Sequence, residues 1–143
     1  MISADDLTLL RRAIGIAATA VTVGDDPYGS LLAGPHGEVL IEAHNSVRRD
    51  NDITAHPELK LARWVARELD PDTPARTTMY TSCQPCGMCH GAIARSGLGR
   101  VVYALSTEQW AQLHPGFAWP GVPSDGPALF DEARLPIDRY HQP

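Results

Sequence analysis

The chain's three cysteines, Cys83, Cys86 and Cys89, crowd into one short segment. An odd number so close together cannot frame a disulfide-stapled fold, so the core must be apolar packing. The thiols themselves suit metal binding or redox chemistry in a reducing compartment. At 143 residues the chain is expected to form one domain, burying about two thirds of its unfolded surface without staples. No stretch reaches the ~18 apolar residues of a membrane span, and Met1 to Arg12 carry early acids with no cleavable apolar region. No membrane partner is expected, and the cytoplasm is the default location.

Charge constrains the partners. The formal net charge is −5, Lys60 is the only lysine, and the arginines are scattered apart from Arg11-Arg12 and Arg48-Arg49. A chain that grips a phosphate backbone needs a clustered positive face, so nucleic acid is an unlikely partner.

Ser3 followed by Asp6 signals a helix start, and Leu7, Leu10, Ile14, Ala17 and Val21 recur at helical spacing. They predict a first helix of about 18 residues ending near Gly24. Gly29 to Ala33 and Glu38 to His44 predict a hairpin around Gly34-Pro35-His36-Gly37. Leu59, Ala62, Ala66 and Leu69 mark a second helix within Ala55 to Leu69, ended by Asp70-Pro71-Asp72-Thr73-Pro74. Thr77 to Ser82 reads as a strand, Cys86 to Ser96 as a helix closed by Gly97 and Gly99, and Arg100 to Leu105 as a strand. Thr107 to Leu113 fits a short helix, and His114 to Pro127 is rich in Pro and Gly. Ala128 to Tyr140 reads equally as helix or strand. This order implies an α/β layer around a central sheet.

Two groups carry chemistry: His56-Pro57-Glu58 and, one helix and one strand later, Pro85-Cys86-Gly87-Met88-Cys89. Cys86 and Cys89 stand at i and i+3, which puts both sulfurs on one side of a helix's first turn. The unpaired N–H groups and positive dipole end of that turn favour thiolates. His56 and Glu58 lie about 200° apart on a helix, so they converge only at its start, where both can lean past the end. A metal beyond the N-termini of the second and third helices would receive one imidazole and two thiolates. Three protein ligands leave zinc's fourth position open, as in catalytic sites, and Glu58 fits a proton-transferring base beside it. His-x-Glu followed by Pro-Cys-x-x-Cys is the pattern of zinc nucleobase deaminases. Two other readings stay open: a closed structural zinc site with Cys83 or His90 as fourth ligand, and a Cys86/Cys89 redox pair. Cys83 alone reads as packing at a strand end. His36, His44, His90, His114 and His141 read as surface or satisfied histidines.

The stretch from Asn45 to Glu58 resembles the asparagine-to-histidine-glutamate segment of the cytidine deaminase superfamily. The branch it looks closest to holds guanine deaminases, fungal cytosine deaminase and tRNA adenosine deaminases. Tyr80 to Ile93 resembles the guanine deaminase segment almost position by position, and the likeness runs to about Leu105. The resemblance implies an α/β/α sandwich around a mixed five-stranded sheet, and usually a homodimer. It implies His56, Cys86 and Cys89 as Zn²⁺ ligands and Glu58 as the proton shuttle. Asn45 would bond the base, with a turn role as the alternative. Tyr28, in Pro27-Tyr28-Gly29, would line the pocket. Ala55 and Cys83 would offer backbone groups near the reacting amine, and Phe117 and Trp119 would close over a flat base. The chain departs from the pattern at Pro57, Gln84 and the tail after Leu105. Some guanine deaminases use a further acid in that tail as proton shuttle, and the resemblance leaves Asp125, Asp131 or Glu132 as candidates for it.

The expected function is zinc-dependent hydrolytic deamination of a free amino-substituted nucleobase or related heterocycle. Cytosine, guanine, isoguanine and 5-azacytosine are the candidates. The rival functions are tRNA adenosine deamination and a non-catalytic zinc-stabilised interaction module.

Overall fold

Helix α1 (Ala4–Thr22) starts at a reciprocal cap: Ser3 Oγ accepts from the Asp6 amide, and the Asp6 carboxylate accepts from the Ser3 amide. The computed structural model describes residues 1–142. The remaining elements are β1 (Gly29–Ala33), β2 (Val39–His44), α2 (Val47–Asp50), α3 (Pro57–Glu68) and β3 (Thr78–Cys83). They continue with α4 (Gly87–Ser96), β4 (Arg100–Leu105), α5 (Thr107–Leu113) and α6 (Phe130–His141). A short 3₁₀ turn, Pro74–Arg76, precedes β3.

The strands form one mixed sheet in the order β2-β1-β3-β4. β1 pairs antiparallel with β2 and β3, and β3 pairs parallel with β4. Successive side chains of a strand face opposite sides, and β1 uses both. Leu32 packs with Leu61, Val65, Met79 and Ile93 under α3 and α4. Leu31 and Ala33 pack with Leu10, Tyr80 and Val102 under α1. The three-layer α/β/α arrangement is therefore as expected, while the sheet has four strands among the described residues where the family likeness implied five. After β4, Ser106 and Gln109 form a second reciprocal cap that opens α5, and no strand follows it among the described residues. The ambiguous Ala128 to Tyr140 then becomes helix α6, despite Pro136 within it.

Two helix faces differ from the sequence reading. On α1 the buried positions are Asp6, Leu10, Ala13, Ala17 and Ala20, whereas Leu7, Ile14 and Val21 are exposed. Small residues are needed there because α1 crosses β1 very closely: a Cβ on Gly29 would lie 2.4 Å from the Ala17 backbone nitrogen. On α3 the buried residues are Pro57, Glu58, Leu61, Ala62 and Val65, and Ala66 is exposed. The one-turn helix α2 has no counterpart in the sequence reading. The strand bounds agree with that reading to within a residue.

Candidate active site

Helices α3 and α4 lie side by side, and both begin where β3 ends. His56 is the N-cap of α3 in an extended conformation, followed by Pro57, whose fixed φ suits a first helical position. Cys86 is the N-cap of α4, and Cys89 sits one turn further in, fully buried. The imidazole therefore leans off one helix end toward two sulfurs at the other. His56 Nδ1 lies 3.7 Å from Cys86 Sγ and 3.5 Å from Cys89 Sγ. The three ligand atoms lie within 4.8 Å of one another. Around a tetrahedral zinc, metal–nitrogen and metal–sulfur distances of about 2.1 and 2.3 Å put such atoms about 3.6 Å apart. Donor types and spacing thus both fit zinc.

The Cys89 thiol, and then His56, hydrogen-bond to Cys86 and draw its pKa down to about 3. Cys89 is pushed up by that same bond and by burial. His56 is raised, first by its bond to Cys86. A metal held by both sulfurs and a neutral imidazole must displace the protons these groups share.

Glu58, one position into α3 from Pro57, is buried with its carboxylate turned toward the same cluster. Its Oε1 accepts a 2.9 Å bond from Thr81 Oγ1, which in turn accepts 2.8 Å from Ser30 Oγ. Oε2 lies 3.8 Å from Cys89 Sγ. Burial raises the Glu58 pKa above the ordinary carboxylate range, partly offset by the Thr81 bond. Thr81 and Ser30 are fully buried and were not singled out in the sequence. A threonine and a serine in strands carry no local signal of such a role.

A cavity of about 630 Å³ opens over the cluster. It brings together Tyr28, Asn45, His56, Glu58, Cys86, Phe117 and Trp119 from the sequence expectations, with Cys89 buried beneath. Ala55 lies outside the lining, and its N–H and C=O are bonded to Asp52 and Ser46. Cys83 lines the cavity instead of packing in the core, and burial pushes its thiol up. Asp125, Asp131 and Glu132 are exposed and do not line it. Trp110, which the sequence reading did not name and whose Nε1 donates to Tyr28 Oη at 2.9 Å, also lines the cavity, as does His114, read from the sequence as a surface or satisfied histidine. Trp110 meets His114 at 4.6 Å and Phe117 edge-on at 5.0 Å, and Phe117 meets Trp119 edge-on at 5.3 Å. The i, i+4 spacing of Trp110 on α5 and His114, its C-cap, was the available signal.

Asn45 is buried, with its Oδ1 bonded to the Val47 amide at 3.0 Å. Among the described residues no acceptor takes the Nδ2 hydrogens, which remain available to the cavity.

The profile of the cytidine and deoxycytidylate deaminase zinc-binding region matches residues 3–105. A probable cytosine deaminase of Schizosaccharomyces pombe is 35% identical over 78% of this chain and 67% of its own. The guanine deaminase of Bacillus subtilis is 36% identical over 68% of this chain and 62% of its own. A tRNA-specific adenosine deaminase of Haemophilus influenzae is 31% identical over 71% and 58%. The X-ray structure of guanine deaminase from Bacillus subtilis superposes with a TM-score of 0.76 and 28% identity, covering 94% of this chain and 92% of that one. Motif, fold and profile agree, and the chain belongs to the family of the cytidine and deoxycytidylate deaminase zinc-binding region.

Proposed function

We propose that the protein is a zinc-dependent aminohydrolase that replaces the exocyclic amine of a free nucleobase or related heterocycle with oxygen, releasing ammonia. The observation that carries this reading is a buried carboxylate, Glu58, set beside an imidazole–dithiolate cluster at the floor of an aromatic-walled cavity. His56, Cys86 and Cys89 would hold the zinc. Bound there, zinc would supply Lewis acidity that brings the ionisation of water toward neutral pH.

The chain's own groups do the rest. Glu58 takes one proton from the attacking water and delivers it to the ring nitrogen, then carries the remaining hydroxyl proton to the amine. The water oxygen thus stays on the ring as a carbonyl and the amine leaves as ammonia. Its raised pKa suits a group that must hold a proton between these steps. Asn45 offers its Nδ2 hydrogens to an acceptor on the ring. Phe117 and Trp119 lie at the rim, where flat rings can stack on a flat ligand. Tyr28 accepts from Trp110 and keeps its own hydroxyl proton for the ligand. The apolar wall and the net charge of −5 favour a free base over a polynucleotide. A homodimer in the cytoplasm, where free thiols stay reduced, completes the reading.

The test is ammonia release by the zinc-loaded chain over cytosine, guanine, isoguanine, 5-azacytosine, their nucleosides and a tRNA anticodon stem-loop. Release from at least one free base, lost on chelation and restored by zinc, is expected. Release from the stem-loop and from no base would replace this reading with tRNA editing.

A further inference from the structure

The aminohydrolase reading needs the ligand's ring held at a fixed span from Glu58, and the two residues that define that span sit on different elements. Glu58 belongs to α3, while Asn45 lies just beyond the end of β2, which among the described residues is an edge strand paired only with β1. The segment carrying Asn45 is tied back by the Asn45 amide to the Tyr28 carbonyl and by the Ser46 amide to the Ala55 carbonyl.

Lys60, one turn after His56 on α3, crosses this gap. Its Nζ donates to the His44 carbonyl at 2.9 Å and to Ser46 Oγ, so it grips the chain on both sides of Asn45. Ser46 Oγ passes the contact on by donating to the Asp50 carboxylate at the end of α2. Ser46 and Asn45 are both buried, and the half-buried ammonium ends inside this polar cluster. Three donors on a flexible stem allow one lysine to hold a carbonyl and a hydroxyl at once, which no apolar residue can do.

We propose that Lys60 is a positioning residue that sets the span between Asn45 and Glu58 and thereby the fit of the base, without touching it. This rests on the reading of Asn45 as the group that bonds the substrate.

The test compares the zinc-loaded full chain with Lys60→Met, Asn45→Ala and the double variant. Lys60→Met keeps the apolar stem and loses the donors. It is expected to retain its zinc, raise KM for the base about tenfold and change kcat much less, the size of losing one charge-assisted hydrogen bond. In the Asn45→Ala background the same change should leave KM alone, because the group it positions is gone. Amide hydrogen exchange at Ser46 and Val47 should speed up in Lys60→Met, a readout that needs no turnover. Should Lys60→Met fail to fold, Lys60→Gln, which keeps one donor head, takes its place with a smaller KM effect in the same direction. Equal KM losses in both backgrounds, or unchanged exchange at Ser46 and Val47, would overturn the proposal. Absence of ammonia release by the wild type from every base refutes the aminohydrolase reading instead, and the exchange comparison still decides the role of Lys60.

Discussion

Glu58 was legible as a chemical group because two residues of spacing from a histidine at a helix start have few other uses. Its support was not legible. Thr81 holds the carboxylate at 2.9 Å, and a threonine in a strand looks like any other β-former. Thr81→Val should lower kcat about 10- to 100-fold, the cost of one hydrogen bond to a charged group, with zinc content unchanged by metal analysis. Asp6 carries a similar lesson. The sequence marked it as part of a helix cap, yet its carboxylate also accepts from Tyr80 Oη and from both terminal nitrogens of Arg100, partners far along the chain. The Arg100 guanidinium, first among these donors, holds the carboxyl well below the usual range. The folded chain therefore binds fewer protons here than the unfolded one. Asp6 contributes its full stabilisation above the ordinary value of 3.8 and loses it as the pH falls below that. Asp6→Asn should cost about 1–3 kcal/mol at neutral pH, read from urea denaturation, and should flatten the acid limb of the stability curve.

Strands were read to within a residue because alternation and Gly/Pro punctuation are local signals. Helix faces were harder. On α1, large residues at helical spacing pointed to Leu7, Ile14 and Val21, but the sheet takes the alanine side, because only small side chains fit where α1 crosses Gly29. On α3 the inward stripe runs through Glu58, so a hydrophobic pattern could not include the residue that matters most. The close crossing gives a sharp expectation. Gly29→Ala should destabilise the protein by about 1–3 kcal/mol, because the new methyl meets the backbone of α1 and the helix must move. Loss of less than about 0.5 kcal/mol in thermal or urea unfolding would show that α1 does not sit so close.

At the scale of the whole molecule, the sheet brings the N-terminal ends of α3 and α4 to the end of β3, so groups 30 and 33 residues apart meet in one cluster. Sequence motifs named those groups and the family likeness named Phe117 and Trp119, whereas the places of Trp110 and His114 in the wall depended on how the tail turns back, which no motif encodes. That tail ends in α6, which buries none of its residues and leaves Phe130, Leu135, Ile137 and Tyr140 exposed. A short helix with no packed face is marginal by itself, so the homodimer in the proposed reading should cover it. Sedimentation should give twice the 15.5 kDa chain mass, and Leu135→Asp with Ile137→Asp should shift it toward one. The central claim is that the cluster and Glu58 together form a hydrolytic centre. It is tested most directly by ammonia release from the free-base panel with zinc-loaded wild type and Glu58→Ala side by side. The wild type should turn over at least one base, while Glu58→Ala keeps its zinc and falls at least about 10²-fold in kcat. Equal release by the two proteins, or none by a fully zinc-loaded wild type, would contradict it.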